Sequence, residues 1–425
     1  MTQVSHARQQ QSFHAHPPAR EVSLDQARAL VTERTLALRQ LSRFVPLSQW
    51  SLPGVAPVLA EPVVADRAWP PFRRSMRDGY ALRFADGSAP VRCVGELRAG
   101  AAAAPLCGPG ECVAIMTGAP VPEELDTVVM IEHTQIDQDG RILVNSGEHK
   151  GDNIAAAGSD SAPGSLVAAA SRRLTPAALA AAASAGVTDP LVFAAPRVAI
   201  LASGDELVPA SVLPGPAQIR NSNGPMLAAQ CRRYGAEVVC ERLLPDTESA
   251  LEAALDHALA MGAELILFSG GASVGSADLV APLLVRRGVR LAYDAVRVRP
   301  GRPVLFGECE GRLYFGLPGN PLGALMACAL QVRPAIELLS GMAAESLTPA
   351  TVTASLGFDY SGKPLALDVF RPVRLAASGL RATVQPLTYH GSADLAAAAA
   401  ADAFLHVPPG VTALHAGDTV GVVLL

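Results

Sequence analysis

The sequence predicts a multidomain α/β plus β protein with a doubly wound α/β domain at its centre. Residues 196–340 alternate apolar strand patterns, such as Glu264–Phe268, with helical patterns, such as Glu248–Met261. This alternation is typical of an open sheet of parallel strands with helices on both faces. Residues 46–147 and 341–425 instead contain short strand-like segments broken by proline and glycine, which predicts two further β-rich units.

Two helices flank the first β-rich unit. Ser23 and Gln26 form a capping-box pattern, which predicts a helix running to about Phe44. Thr175-Pro176 combines a cap residue with a first-turn proline and predicts a second helix over Thr175–Ala185. We expect these helical pieces to pack together, so that the β-rich residues between them are an insertion.

The chain therefore divides into five parts. In order, these are a disordered tail at 1–20, an elongated N-terminal helical linker domain formed by 21–45 with 148–195, an inserted β-rich domain at 46–147, the α/β domain at 196–340 and a small C-terminal β-barrel domain at 341–425. In the last part, predicted strands lie at Val352–Phe358, Leu365–Val373, Thr383–Leu387, Ala403–Val407 and Thr419–Leu424. Their spacing is typical of a small barrel or sandwich.

Composition excludes several classes of protein. A net charge of −5 with mixed signs gives no basic face, so we expect no nucleic-acid partner. No apolar stretch is long enough and free enough of breakers to span a bilayer, and the polar N-terminal tail lacks the apolar core of a signal peptide. The 7 cysteines are scattered without a CxxC pair, which favours neither a zinc site nor a disulfide framework and fits a reducing cytoplasm.

Three predicted strands of the α/β domain end in loops rich in glycine and serine. These loops are Ser203–Glu206, Ser269–Gly275 and Gly316–Pro321. In the last of them, Asn320 is a strong N-cap residue and Pro321 fits the first helical turn. One interpretation is a set of well-made turns without a ligand. However, ligands of open α/β sheets bind at the carboxyl ends of the strands, so three such loops favour a phosphate-bearing or otherwise anionic ligand.

Seven motifs in one order resemble those of a known family. They are Pro71-Phe72-x-x-Ser75-x-x-Asp78-Gly79-Tyr80-Ala81, Thr117-Gly118-Ala119 with Asp126–Met130 and Glu132, Gly151-x-Asn153-Ile154, Ser203–Leu207, Ser269-Gly270-Gly271-x-Ser273-x-Gly275 with Asp278, Arg299-Pro300-Gly301-Arg302-Pro303 and Gly316–Pro321. The chain is similar over residues 20–425 to the molybdopterin molybdenumtransferases, which include the bacterial MoeA proteins and the E domain of gephyrin.

The resemblance implies a function in molybdenum cofactor biosynthesis. Its α/β domain would be a molybdopterin-binding, MogA-like domain. The implied reaction inserts molybdate into adenylyl-molybdopterin with Mg²⁺ and releases AMP and the finished cofactor. Molybdate and tungstate, of nearly equal size and charge, both remain open as the oxyanion. The resemblance also implies a homodimer whose cleft is shared between subunits, with an upstream molybdopterin adenylyltransferase and molybdoenzyme maturation factors as further partners.

The family's motifs assign roles to particular residues. Binding of the pterin substrate falls to residues of two strand-end loops, namely Ser269, Gly270, Gly271, Ser273, Gly275, Pro318, Gly319, Asn320 and Pro321. Mg²⁺ falls to the carboxylates Asp205, Glu206, Asp246 and Asp278, because Mg²⁺ prefers a few carboxylates together with phosphate oxygens and water. The alternative for these carboxylates is helix capping, above all for Asp278.

The resemblance assigns oxyanion binding and the catalytic step to other residues. Molybdate would contact Arg299, Arg302, Arg371 and Ser392, although a basic pair such as the first two is also typical of a solvated surface. The catalytic residues would be Asp78, Thr117, Glu206 and Asp246. Read by itself, Asp78-Gly79 is also an ordinary hairpin signal.

The sequence departs from the family pattern at several positions. These are Arg73, Arg74 and Arg77 beside Asp78, Ala155 and Ser159 in the next motif, Ala295 before the basic pair, and Asp402 near the C-terminus. A catalytically impaired paralogue that binds molybdopterin or molybdate without turnover is therefore an alternative, and a structural scaffold is another. Asp78, Glu206, Asp246 and Asp278 are all present, which favours the enzyme.

Overall fold

The computed structural model describes residues 20–38, 42–44, 55–145, 149–270, 279–347, 351–378 and 381–425. Within these residues the α-helices are α1 (Leu24–Leu36), α2 (Pro176–Ser184), α3 (Asn223–Tyr234), α4 (Glu248–Ala260), α5 (Val280–Arg286), α6 (Pro321–Ala327), α7 (Arg333–Leu339) and α8 (Leu395–Ala400).

The predicted caps begin both N-terminal helices. At α1 the Ser23 hydroxyl accepts from the Gln26 N–H at 3.2 Å, and the Gln26 side chain accepts from the Ser23 N–H at 2.9 Å. At α2 the Thr175 hydroxyl accepts from the Ala178 N–H at 3.2 Å. The prediction that the first helix runs to about Phe44 was wrong. It ends at Leu36, and Ser42–Phe44 is a strand, because its backbone pairs antiparallel with Leu191–Phe193.

A β-rich inserted domain follows, as predicted. Its strands are Arg74–Ser75, Gly79–Leu82, Arg92–Leu97, Glu111–Ile115, Thr127–Met130, Thr134–Ile136, Ile142–Val144 and Ile154–Ala155. Four of them form one sheet in the order Arg92–Leu97, Glu111–Ile115, Gly79–Leu82, Thr127–Met130. The inward side chains Ala81, Val113 and Val128 are fully buried. The bounds 46 and 147 of this domain stay a prediction.

The central domain contains a sheet of six strands. Their order is Glu237–Leu244, Arg197–Ser203, Leu265–Ser269, Arg312–Leu317, Leu305–Cys309, Arg290–Tyr293. The first four strands are parallel, and Leu305–Cys309 pairs antiparallel with both of its neighbours. Alternate residues face opposite sides, as the two-residue period of a strand requires. Thus Val198 and Ile200 pack with α3 and α6, whereas Ala199 and Leu201 pack with α4 and α5.

A long helical stretch lies in the core of this domain. Pro321–Leu339 combines α6, a π-helical turn at Cys328–Val332, and α7. By length and composition it could cross a membrane, although no such stretch was predicted, but 89% of its apolar window is buried inside the structure. Its hydropathy is therefore explained by packing. The π-helical turn lies just before Pro334, where the proline lacks a donor for regular helical bonding.

The C-terminal domain is a closed barrel of five strands, which decides between the barrel and sandwich interpretations. Around the barrel the order is Asp368–Ser378, Arg381–Pro386, Val352–Leu356, Thr419–Leu424 and Ala403–Val407, with the last pairing back to the first. Its core contains Leu356, Val384, Leu405 and Val422, all nearly inaccessible. The predicted strands Ala403–Val407 and Thr419–Leu424 have the same bounds in the structure.

Other short strands pair within and between these domains. The remaining pairs are Glu21–Val22 with Ala295–Val296, Val63–Val64 with Leu166–Ala168, Leu207–Val208 with Ile219–Arg220, Val298–Arg299 with the start of Asp368–Ser378, and Tyr360–Ser361 with Ala413–Leu414. The pairing of Val298–Arg299 attaches the barrel to the α/β domain beside the carboxyl ends of the parallel strands.

Candidate functional site

A cavity of about 390 Å³ lies at the carboxyl ends of the parallel strands. The strand ends are adjacent, because Ala202 pairs in register with Ser269, and Ser269 with Leu317. Predicted site residues from both substrate loops and from the carboxylate set line this cavity, namely Glu206, Asp246, Ser269, Gly270, Pro318, Gly319, Asn320 and Pro321. The predicted residues Gly271, Ser273, Gly275 and Asp278 lie outside the described residues.

Gly270 allows two of these strand ends to come together. Its backbone has a φ of 93°, a conformation that favours glycine. A Cβ at this position would lie 2.2 Å from the backbone carbonyl oxygen of Ser203, which is shorter than any normal contact. The first glycine after the strand is thus required by the neighbouring strand as well as by its own backbone.

Asn223, at the start of α3, joins two of the loops. Its Nδ2 donates to the Ser269 hydroxyl at 2.9 Å and to the Gly319 carbonyl at 2.8 Å. The side chain is buried, with 8% of the residue exposed. Sequence reasoning missed Asn223 and its neighbours Asn221 and Ser222, which also line the cavity. The available signal was the run Asn221-Ser222-Asn223-Gly224-Pro225, where three cap-type residues precede a helix.

Three buried oxygen atoms at the cavity have no hydrogen-bond partner among the described residues. They are Ser203 Oγ, Asn223 Oδ1 and Asp246 Oδ1. A buried polar atom without a partner costs about 1–3 kcal/mol, so such atoms are rare unless something else satisfies them. Asn223 Oδ1 and an ionised Asp246 Oδ1 can only accept hydrogen bonds, so a hydrogen-bond donor or a cation would satisfy them. The cavity is thus prepared for a polar ligand.

The candidate metal ligands differ in their exposure and in whether they line the cavity. Glu206 is exposed and Asp246 partly buried, and both line the cavity. Asp205 lies outside the lining, and its Oδ1 accepts from the Asp246 N–H at 3.0 Å. Within the described ranges, no three His, Cys, Asp or Glu side chains converge in a ready-made metal cluster. The assignment of Mg²⁺ to these carboxylates stays a prediction.

The segments that carry the predicted oxyanion residues meet at the start of α6. Gly301, between Arg299 and Arg302, packs against Gly323, where an added Cβ would lie 3.0 Å from the Gly323 carbonyl oxygen. The Ser392 carbonyl accepts from the Leu322 N–H at 3.0 Å. Pro303 lines the cavity, whereas Arg299, Arg302, Arg371 and Ser392 are not among its lining residues.

The arginines themselves are held in different ways. Arg302 Nε donates to Glu21 Oε1 at 2.7 Å, a contact between residues far apart in sequence. Arg371 lies between the rings of Tyr360 and Tyr389. Arg299 is exposed at the end of its short strand. The backbone therefore brings the four oxyanion residues to one region, but it does not aim all of their side chains at the cavity.

Asp78 and Thr117 form a second, separate site on the inserted domain. Asp78 Oδ1 accepts from the Thr117 N–H at 2.7 Å and from the Thr117 hydroxyl at 2.8 Å. These bonds, the backbone one first, hold the pKa of the Asp78 carboxyl below its ordinary value, because they favour the charged form. Both residues are exposed and neither lines the cavity. The structure thus pairs the two predicted catalytic residues with each other.

Replacing Thr117 with valine should raise the pKa of Asp78 toward its ordinary value of 3.8. The hydroxyl donor is lost while the backbone donor remains, so we expect only part of the shift to disappear. Carboxyl ¹³C NMR titration of Asp78 measures this directly. Because a lowered pKa keeps the carboxylate charged down to more acidic pH, the variant should protonate at higher pH than the wild type. Thr117→Ser retains the hydroxyl and serves as the control; equal pKa values in all three proteins would contradict the assignment.

The departures from the family pattern have structural partners within the inserted domain. Arg73 donates to the backbone carbonyls of Pro122, Glu123 and Leu125. Arg74 forms an ion pair with Asp160 at 3.2 Å. Ala155 pairs in a strand with Arg74, and the Ser159 hydroxyl donates to Asp160. Among these positions, Arg77 is exposed beside Asp78.

Two departures lie outside that domain. Ala295 is buried, with 4% of the residue exposed, and it pairs with Glu21. Asp402 accepts from the Leu375 N–H at 2.9 Å inside the barrel domain. These contacts explain the two residues by local structure.

Comparison with known proteins places every described domain in one family. Three family models match consecutive parts of the chain: the MoeA N-terminal region (domain I and II) at residues 22–186, a probable molybdopterin binding domain at 199–338, and the MoeA C-terminal region (domain IV) at 354–425. The chain is 30% identical over 380 residues to a molybdopterin molybdenumtransferase of Staphylococcus aureus, covering 86% of this chain and 88% of the relative. A Staphylococcus epidermidis molybdopterin molybdenumtransferase is 29% identical over 376 residues, with the same coverage.

Solved structures share the architecture. Two crystal structures of a molybdopterin biosynthesis MoeA protein from Pyrococcus horikoshii superpose along nearly the whole chain. One has a TM-score of 0.72 at 26% identity and covers 95% of this chain and 99% of that one. The other has a TM-score of 0.76 at 24% identity and covers 96% and 100%. The arrangement of inserted domain, α/β domain and barrel is therefore that of these proteins.

Proposed function

Since the chain belongs to the molybdopterin molybdenumtransferase (MoeA) family and is an enzyme of molybdenum cofactor biosynthesis, we propose that it inserts molybdate into adenylyl-molybdopterin and releases AMP and the finished cofactor. One observation carries the proposal for this chain. A cavity at the strand ends contains three buried oxygen atoms that no described residue hydrogen-bonds, and segments bearing oxyanion residues meet beside it at α6.

The first task of the site is to hold an anionic pterin nucleotide. The loops after the parallel strands Leu265–Ser269 and Arg312–Leu317 supply Ser269, Gly270, Gly319 and Asn320 to the cavity wall. Asn320 is the N-cap of α6 by position, but its side chain makes no capping hydrogen bond. Asn320 lines the cavity, where its amide would contact a ligand, and Asn223 hydrogen-bonds to both loops.

The second task is electrostatic. A diphosphate and a molybdate dianion must lie side by side, and two unit charges ~4 Å apart repel by roughly 4 kcal/mol at an effective dielectric of ~20. Arg299, Arg302 and Arg371 supply cationic groups on the oxyanion side, and their guanidinium groups match oxyanion geometry. The Ser392 segment joins them at the start of α6.

The residues present fit a Mg²⁺ ion on the phosphate side. Asp246 Oδ1 is buried at the cavity with no hydrogen-bond partner in the ranges that the structure describes, and the exposed Glu206 carboxylate lines the same cavity. Two carboxylates plus substrate oxygens and water are the donor set that Mg²⁺ prefers. Glu206 and Asp246 would hold the ion, which neutralises phosphate charge when bound. Asp205 would orient Asp246 through its backbone N–H.

The separation between the two sites leads to the proposal of a homodimer. Asp78 and Thr117 are outside the cavity, so the inserted domain of a partner subunit would deliver them to it. Exposed apolar side chains surround the pair: Met76 is 55% exposed, Met116 40% and Ile131 54%. Such clustered exposure is typical of a surface covered by another chain.

Light scattering at micromolar concentration should therefore give about twice the chain mass of 43.9 kDa. The physical reason is that burial of the apolar surface around Asp78 favours association. Met116→Asp should shift the equilibrium toward monomer, whereas Leu106→Asp, at an exposed position elsewhere on the inserted domain, serves as the matched control. A monomer with full activity would rule the shared site out.

The decisive experiment for the function is a reaction with adenylyl-molybdopterin, molybdate and Mg²⁺, following AMP and cofactor formation. We expect AMP release that depends on both molybdate and Mg²⁺. Binding of the pterin nucleotide without AMP release would instead support the catalytically impaired paralogue. We propose that the enzyme acts in the cytoplasm and receives its substrate from a molybdopterin adenylyltransferase.

A further inference from the structure

The Arg371 guanidinium contacts two aromatic rings. Its central carbon lies 5.5 Å from the centroid of the Tyr360 ring and 5.1 Å from that of Tyr389. All three residues are half-buried. Among the described residues the other guanidinium–ring contact is Arg333 over Tyr234, at 5.3 Å, which involves a single ring. The Arg371 side chain is thus restrained by contacts with two rings.

Both tyrosines belong to the C-terminal domain, but they pack against different cores. Tyr360 packs against the core of the C-terminal barrel, whereas Tyr389 packs against the core formed by α1, α3, α6 and the central sheet. The Arg371 guanidinium therefore lies at the junction between barrel and α/β domain. Its position depends on how these two domains pack together.

The Tyr389 segment also reaches the cavity region. Three residues after Tyr389, the Ser392 carbonyl accepts from the Leu322 N–H of α6. The Asp394 carboxylate accepts from the His390 N–H at 2.9 Å and from the Ala397 N–H at 3.0 Å, which fixes the loop to α8. One hydrogen-bonded loop thus carries both Tyr389, which contacts Arg371, and Ser392, which bonds to the start of α6.

Ring contacts restrain an arginine without consuming its donors. The attraction acts between the guanidinium and the ring, whereas the N–H groups lie in the guanidinium plane. An arginine held in this way keeps its planar fork for an oxyanion, and less side-chain freedom is lost when the oxyanion binds. Preorganised donors of this kind are also the ones that best stabilise charge developing in a reaction.

We propose that Tyr360 and Tyr389 are positioning residues that hold Arg371 for the molybdate oxyanion, so that oxyanion affinity depends on both rings. The inference rests on the proposed function, because Arg371 acts here on the molybdate of that reaction. It adds two residues that lie outside the family motifs of the sequence. It also makes the packing of the barrel on the α/β domain a determinant of oxyanion binding.

The test compares ring removal with ring retention. Tyr360→Leu and Tyr389→Leu should each raise the molybdate concentration for half-maximal AMP release about three- to tenfold, as expected for loss of one cation–π contact. The double variant should show a larger increase than either. Tyr360→Phe and Tyr389→Phe keep the rings and should stay within about twofold of the wild type. Affinity for adenylyl-molybdopterin should be unchanged in all of them.

Tyr234→Leu is the matched control, because it removes the ring under Arg333 far from the oxyanion residues in sequence and in the core of the α/β domain. It should lower the melting temperature without changing the molybdate dependence. Calorimetric titration of each protein with sodium molybdate gives a second readout that does not require turnover.

Two results would overturn the inference while leaving the proposed function intact. One is a wild type that turns over together with leucine variants of unchanged molybdate dependence. The other is phenylalanine variants as weak as the leucine variants, which would assign the effect to the hydroxyl groups. A wild type that binds molybdate without releasing AMP would contradict the proposed function alone. The inference would still be tested, because calorimetric titration compares the molybdate affinity of the wild type with that of the variants. A wild type that neither binds molybdate nor releases AMP would overturn both.

Discussion

Replacing Gly270 with alanine should disrupt the cavity and reduce affinity for the pterin nucleotide by roughly 10- to 100-fold. The added methyl group would lie 2.2 Å from the Ser203 carbonyl oxygen, so the loop after Ser269 has to move away from its neighbour. A side chain at a φ of 93° also adds backbone strain of about 1–3 kcal/mol. Since Asn223 bonds to Ser269 and Gly319 at once, movement of the loop breaks this connection. Fluorescence titration with adenylyl-molybdopterin measures the loss.

Gly140→Ala is the matched control for this variant. Gly140 has a φ of 75°, and a Cβ there meets nothing within 4 Å, so the backbone strain is present without the overlap. The control should lose some thermal stability and bind the pterin nucleotide normally. If Gly270→Ala binds as tightly as Gly140→Ala does, close approach of the strand-end loops is not what the site requires.

Replacing Asp246 with asparagine should lower kcat/KM by about 100-fold or more, on the scale of losing one key electrostatic group. The substitution keeps the shape of the side chain but removes the negative charge that a Mg²⁺ ligand needs. Asp246 Oδ1 is buried at the cavity and no group in the described part of the chain hydrogen-bonds to it, so we expect the fold to tolerate loss of the charge. The measurement is AMP release against Mg²⁺ concentration, and high Mg²⁺ should recover part of the activity.

The variant Asp205→Asn distinguishes the role of the Asp205 carboxylate from that of Asp246. In the structure, Asp205 accepts from the Asp246 N–H, and an asparagine Oδ1 can accept the same hydrogen bond. We therefore expect a loss of less than about tenfold, with a near-normal Mg²⁺ dependence. An Asp205→Asn enzyme as impaired as Asp246→Asn would show that both carboxylates hold the ion.

Much of the fold follows from the sequence because its signals are local. The caps at Ser23 and Thr175 satisfy N–H groups within three residues, so a short stretch of sequence contains both partners. The strands of the barrel and of the central sheet show the apolar patterns that burial requires, and Thr419–Leu424 lies where the pattern predicts. The strand-end loops with Ser269 and Gly319 were likewise visible as glycine-rich interruptions after apolar runs, and they do line the cavity.

The sequence by itself thus determined the domain types and the candidate ligand loops. Tertiary structure alone decided where the first helix ends, because Ser42–Phe44 pairs with a strand nearly 150 residues later. It also decided that Asn223 joins two loops, that Glu21 bonds to Arg302, and that the rings of Tyr360 and Tyr389 both contact Arg371. The physical reason is the same in each case. These partners meet only when the chain has folded, and hydrogen bonds or ring contacts between residues distant in sequence leave no periodic pattern in the chain.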